Sequence, residues 1–163
     1  MPDAWDTSVA SRIAAGERHA PLLATHQRQG IPVALPAPTI QEIVRGLVAP
    51  AMNREPARRK LRWFGGLFRD PLTIVVSFDR KAAVITGQLL ARHPHPPTHN
   101  HRRRGTRAQQ RAAWALDVQI AACAFAGGYG VLTENVDDFA LLRDAIAALL
   151  PNVRPLSVSD ARI

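Results

Sequence analysis

Four stretches of this 163-residue chain carry acids where a carboxylate can do chemistry, each at the end of a short apolar run or at the start of a helix. They are Asp6 in Asp6-Thr7-Ser8-Val9, Glu42 in Thr39-Ile40-Gln41-Glu42, Asp117 ahead of Val118 to Ala126, and Asn135 with Asp138 in Thr133-Glu134-Asn135-Val136-Asp137-Asp138-Phe139. Carboxylates packed together repel one another, and without a cation some of them must protonate. A hard divalent ion resolves that conflict. Magnesium prefers oxygen ligands and bridges to phosphate, and manganese suits the same donors.

Two of these acids have an ordinary structural explanation. Asp6 is placed to cap a helix, though Thr7 or Ser8 would serve as well. Thr39 and Glu42 have the spacing of a capping box, in which the glutamate bonds back to the helix start. A glutamate so engaged is not also facing a metal, so the two readings of Glu42 exclude each other.

The elements that must position the acids alternate along the chain. Ala4-Trp5 reads as a first strand ending at Asp6, followed by a helix through Val9 and Ile13. A helix over His19 to Gln29 stops at Gly30, and Ile31 to Leu35 is a strand closed by Pro36-Ala37-Pro38. Thr39 opens the next helix, and Asn53 to Phe68 forms a basic one bearing Arg54, Arg58, Arg59, Lys60 and Arg62. Leu72 to Ser77 is a β-branched third strand. Asp79 then begins a helix with Ala82, Ile85 and Leu89 on its apolar side. From Asp117 a helix apolar on nearly every face runs to Gly127-Gly128, which predicts burial on more than one side. Val131-Leu132 is a short, covered parallel strand. A helix over Leu141 to Leu150 and a strand over Val153 to Val158 complete the chain. Strands alternating with helices predict a three-layer α/β/α domain with a mostly parallel sheet of four to five strands, spanning residues 1–163 as one unit. Right-handed crossovers then bring the ends of strands one, two and four to one edge, and the acids with them.

The order Asp-Thr-Ser-Val, Thr-x-x-Glu-Ile, Asp-x-x-Ile-Ala-Ala-x-Ala and Leu-Thr-x-Asn-x-x-Asp-Phe resembles the PIN-domain family, and within it the VapC-type toxins of bacterial toxin–antitoxin pairs. The resemblance covers most of the chain. It implies a PIN-like fold in which residues 40–68 form a protruding helical hairpin. It also implies an endoribonuclease that hydrolyses RNA with Mg²⁺ (or Mn²⁺) and a metal-activated water, leaving a 5′-phosphate. Asp6, Glu42 and Asp117 fall on the metal-binding positions. The fourth acidic position falls on Asn135, where many members carry aspartate; Asp138 lies one turn later. Ser8 and Thr133 are candidates for orienting water. The implied partners are a cognate antitoxin, whose C-terminal segment occupies a groove, and a second copy of the chain in a homodimer. Trp5 stands where the family usually has an aliphatic residue.

The formal charge is +8, and apart from Lys60 and Lys81 every cation is arginine, whose planar fork suits phosphate. The densest cluster lies in residues 92–111, a Pro/His/Arg-rich loop in which Arg102, Arg103, Arg104 and Arg107 are candidate RNA contacts. A solvated linker explains the same residues, and better accounts for His93, His95, His99 and His101 than a zinc site does. No Gly-rich phosphate loop is present, which disfavours a hydrolase of small phosphoesters on another α/β fold. A PIN-like scaffold that binds RNA without cutting it stays open. No apolar run is long enough to span a membrane and no signal-peptide pattern begins the chain, so a cytoplasmic protein is expected. Cys123, the single cysteine, reads as a packing residue in a buried helix.

Overall fold

The structure, a computed structural model, describes residues 2–97 and 105–162. Five strands, β1 (Asp3–Trp5), β2 (Val33–Pro36), β3 (Thr73–Val76), β4 (Gly130–Thr133) and β5 (Val158–Asp160), form one sheet in the order β3-β2-β1-β4-β5. Every pairing is parallel, with Ala4 opposite both Ala34 and Val131, Val33 opposite Thr73 and Thr133 opposite Asp160. The carboxyl ends of β1, β2 and β4 therefore share one edge, as expected.

Alternation along the strands splits the core between two faces. Ala4 and Ala34 face a cluster with Ile85, Leu89, Trp114, Val118, Phe139 and Ile146. Trp5, Val33 and Leu35 face the opposite cluster with Val9, Leu23, Ile43, Phe64 and Leu67. Helices α5 (Arg80–Arg92), α6 (Arg107–Gly127) and α7 (Val136–Leu149) cover the first face; α1 (Thr7–Ala10), α2 (Ala20–Gln29), α3 (Ala37–Asn53) and α4 (Glu55–Leu67) cover the second. This is the α/β/α sandwich that the sequence implied.

Several boundaries differ from the expectation, each for a local reason. α1 ends at Ala10, and Ile13 is buried from the coil that follows it. Pro36-Ala37-Pro38 does not separate β2 from α3. The helix starts at Ala37, because proline lacks only an N–H that the first turn leaves unused. Thr39 consequently lies inside the first turn and donates its hydroxyl to the Trp5 carbonyl at 3.4 Å, so no capping box forms with Glu42. The real box is Thr106–Gln109: Gln109 N–H donates to Thr106 Oγ1 at 3.3 Å and Thr106 N–H to Gln109 Oε1 at 2.8 Å. It starts α6 at Arg107, ten residues before Asp117, through a run of good helix formers. Gly128, at φ 77°, ends that helix in the left-handed conformation. The last strand lies at Val158–Asp160 rather than 153–158, and α7 begins earlier than expected, at Val136.

The 40–68 hairpin is present as α3 and α4, joined at Arg54; Arg58 donates to the Ala51 and Met52 carbonyls and closes the end of α3. The expected 92–111 loop is shorter. Arg92 ends α5, and Arg107 and Arg111 belong to α6. Its start is not a free linker: Trp114 Nε1–H donates to the His93 carbonyl at 2.7 Å. His93 and His95 border an apolar hollow with Trp114, Leu141 and Leu142. Arg102, Arg103 and Arg104, with His99 and His101, lie outside the described residues. Among the described residues no helix is long and apolar enough to cross a membrane.

Cys123 is fully buried, and burial, with the charge of Asp79 adding to it, pushes its thiol up to about 12. Since the thiolate is the reactive form, a thiol reagent at pH 8 is expected to leave native Cys123 unmodified and to label it quantitatively in denaturant. Native labelling at the unfolded rate would contradict the packing role.

Candidate active site at the carboxyl edge of the sheet

Asp6 sits where β1 ends and caps α1, with 3% of its surface exposed. Its Oδ1 accepts from Ser8 N–H at 2.6 Å, Ser8 Oγ–H at 2.6 Å and Val9 N–H at 3.3 Å; its Oδ2 accepts from Thr133 Oγ1–H at 2.6 Å. Burial raises its carboxyl above the ordinary carboxylate range, against these hydrogen bonds, which act the other way. Both readings of Asp6 thus hold at once: it caps a helix and it is a carboxylate at the tip of a central strand.

The two hydroxyls also fasten β4 to β1. Ser8 Oγ accepts from Glu134 N–H at 2.9 Å, and Thr133 Oγ1 accepts from Asn135 N–H at 2.8 Å. Ser8 and Thr133 give their protons to Asp6, so here they position the carboxylate. Asn135 lies immediately before α7 and donates from Nδ2 to Asp138 Oδ2 at 2.6 Å. Asp138 is 1% exposed. Asn135 and Asp138 thus form a hydrogen-bonded amide–carboxyl pair, linked through Thr133 to Asp6.

Glu42 comes from the other side of the edge. It is half-buried on α3 and lines a cleft of about 270 Å³ with Thr7, Ser11, Leu47, Lys60 and Phe64. No hydrogen bond or ion pair joins its carboxylate to any described residue. Thr7, next to Asp6, has a buried hydroxyl with no hydrogen-bond partner among the described residues. Buried polar atoms are rarely left orphaned, so this hydroxyl has room to bond a water or a ligand in the cleft. Lys60 donates to the Ser11 carbonyl at 2.8 Å and to the Glu17 carboxylate.

Asp117 lies in the interior of α6, half-buried between buried Leu116 and Val118, rather than at a helix start. α6 packs against α3, the helix that carries Glu42. Among the described residues no three His, Cys, Asp or Glu side chains form a ready-made metal-binding group. The carboxylates and hydroxyls at this edge nevertheless suit a hard cation, beside the Asn135 amide and the Lys60 ammonium. Magnesium keeps most of its waters and needs one or two protein carboxylates, so an all-protein cage is not required.

Three residues of this edge carry no local signal of their place in it. In the sequence Thr7 reads as a cap in the first motif, and Lys60 as one charge on a basic helix. Glu134 lies inside the last motif, yet nothing local shows that Arg12, Arg18 and His19 would all converge on it.

No family model matches the chain, and no curated protein matches it. Solved structures do. A chain of VapBC2 from Rickettsia felis, bound to a DNA fragment from its promoter, superposes with a TM-score of 0.62 at 14% identity, covering 98% of each chain. A chain of DNA-bound VapBC from Salmonella typhimurium gives 0.59 at 19% identity, again over 98% of both. One of FitAB bound to the IR36 DNA fragment gives 0.60 at 22%, over 96% of this chain and 93% of the other. At such identities the likeness speaks for the fold. The fold is shared over nearly the whole length of the chain with chains of these VapBC and FitAB complexes.

Proposed function

We propose that this chain is a Mg²⁺-dependent endoribonuclease, the toxin of a toxin–antitoxin pair, acting in the cytoplasm. The observation that supports the reading is the cleft lined by Glu42, which pairs with no described residue, and by Thr7, the residue that follows buried Asp6 at the end of β1. In open α/β sheets this edge is where ligands bind. The order of the four motifs and the VapC-like fold support the same assignment.

One or two of Asp6, Glu42 and Asp117 would hold the ion directly and the rest through its waters, since the three do not form a ready-made group. When bound, it supplies Lewis-acid polarisation of a phosphodiester and lowers the pKa of a water. The protein's own groups do the rest. Ser8 and Thr133 lock the Asp6 carboxylate in one orientation, Thr7 offers a hydroxyl to a bound oxygen, and Glu42 takes the proton of the attacking water. Water adds at phosphorus as the P–O3′ bond breaks, and the leaving O3′ takes a proton from solvent, leaving a 5′-phosphate and a 3′-hydroxyl.

The fold neighbours are complexes named VapBC and FitAB, which supports a cognate antitoxin as partner. Its C-terminal segment would enter the cleft between α1, α3 and α4, and the toxin would form a homodimer. A second reading, an RNA-binding scaffold without nuclease activity, is favoured by one feature: Asn135 replaces an acid and its amide is spent on Asp138.

The deciding experiment is cleavage of a structured RNA panel with Mg²⁺, Mn²⁺ or EDTA, comparing wild type with Asp117→Asn. Cutting should require either metal and fall at least about tenfold in the variant, as expected when a ligand to a Lewis-acid metal is weakened. Binding of RNA by both proteins without cutting in any metal would instead establish the scaffold.

A further inference from the structure

Beside the Asp6 network lies a second charged cluster. The carboxylate of Glu134, with 14% of its side chain exposed, accepts from Arg12 Nη1 at 2.9 Å on Oε2. On Oε1 it meets Arg18 Nη1 at 3.0 Å and His19 Nε2 at 2.8 Å. His19 is buried, whereas the arginine side chains are 51% and 53% exposed. Both arginines belong to the connection between α1 and α2. That connection is held by His19 N–H donating to the Arg12 carbonyl at 2.8 Å, by buried Ile13, and by Lys60 on the Ser11 carbonyl.

Such an arrangement exceeds what a simple ion pair needs. One carboxylate fixes two guanidiniums, each through a single nitrogen. A guanidinium has five N–H donors in a planar fork, so each arginine keeps most of its donors for the solvent side. The neighbouring charges are already matched: Arg162 is bound to Asp160 through Nε and Nη2, and exposed Asp137 lies within its electrostatic reach. The cluster is also two hydrogen bonds from the candidate site, since Glu134 N–H donates to Ser8 Oγ and Ser8 Oγ–H donates to Asp6.

We propose that Arg12 and Arg18, splayed on Glu134, form a clamp for backbone phosphates of a single RNA strand flanking the bond placed at Asp6. The proposal rests on RNA as the substrate of the adjoining site. Glu134 is the positioning residue: it orders two long side chains in advance, so less conformational freedom is lost when phosphate binds.

The test is binding of a fluorescent single-stranded RNA in EDTA, where cleavage is absent, as a function of salt. Each phosphate contact in a single strand contributes roughly 0.7 to the slope of log K against log salt. Arg12→Ala/Arg18→Ala should reduce that slope by about 1.4 and weaken binding about tenfold or more near ~0.1 M salt. Arg28→Ala/Arg154→Ala, which removes two positive charges elsewhere, should do neither. Arg12→Lys/Arg18→Lys keeps charge and fold; it should retain the slope and lose affinity several-fold, because a lysine lacks the fork. An alanine pair with wild-type affinity and slope, while wild type binds RNA, overturns the clamp and leaves the nuclease reading intact. Failure of wild type to bind RNA overturns both. Binding through these arginines without cleavage sustains the clamp and sinks the nuclease.

Discussion

Asp6→Asn is expected to lower RNA cleavage by about a hundredfold or more, the scale of losing a group that works directly on the reacting atoms, while the fold stays intact. Asparagine has the shape of the aspartate. Its Oδ1 can accept from Ser8 and Val9 as Asp6 Oδ1 does, and its amide can donate to Thr133 Oγ1. What it removes is a buried charge. Because burial raises the Asp6 carboxyl in the folded protein, the native state holds its proton to higher pH than the unfolded chain does. Wild-type stability should therefore fall as pH rises from about 4, the ordinary carboxylate pKa, through the raised value, and then level off. The asparagine variant lacks this contribution, so the difference in unfolding free energy should grow in its favour across that window. Denaturant unfolding between pH 4 and 8 measures it; parallel curves for the two proteins would show that no strained charge is stored at Asp6. Asp6→Ala is the contrasting case. It leaves the Ser8 and Val9 amides and two hydroxyls without their acceptor, at a cost of about 2–4 kcal/mol from unsatisfied donors and a lost cap. In the asparagine variant the Thr133 hydroxyl loses the acceptor it has in Asp6 Oδ2, which offsets part of the stability gained by removing the charge.

The parallel sheet and the shared edge were legible because they follow from alternation, short apolar runs and the handedness of crossovers; the strand order was not. Chain-specific packing set what the sequence did not show. Two four-residue boxes looked alike, Thr39–Glu42 and Thr106–Gln109, and only the second forms. The first fails because Pro36 and Pro38 let the helix begin three residues earlier, with Pro36 rather than Thr39 at the cap, which puts Thr39 against the Trp5 carbonyl. The second moves the start of α6 back to Arg107 and leaves Asp117 inside a helix. Asp6, Ser8 and Thr133 were named as separate candidates; that they make one hydrogen-bonded unit depends on the β1–β4 register, Trp5 opposite Leu132, which no local pattern records. The Glu134 cluster spans residues more than a hundred positions apart and has no local signature at all.

Glu42 offers the cleanest separation of structure from function. If the capping box existed, Glu42→Ala would destabilise the protein by about 1 kcal/mol. With Thr39 bonded to Trp5 and Glu42 joined to no described residue, the change should move unfolding by less than about 0.5 kcal/mol, the range of a surface substitution. Glu42→Gln should be equally silent in stability, yet lower cleavage by about a hundredfold, because the amide keeps the shape and loses the proton acceptor. Thermal unfolding and single-turnover cleavage on the same preparations decide it. Stability lost with activity kept would restore Glu42 to the helix cap and take it out of the site. Activity lost with stability kept would mean that a half-buried carboxylate, which no described side chain neutralises, is held in this cleft for the reaction, beside a threonine hydroxyl with no hydrogen-bond partner among the described residues.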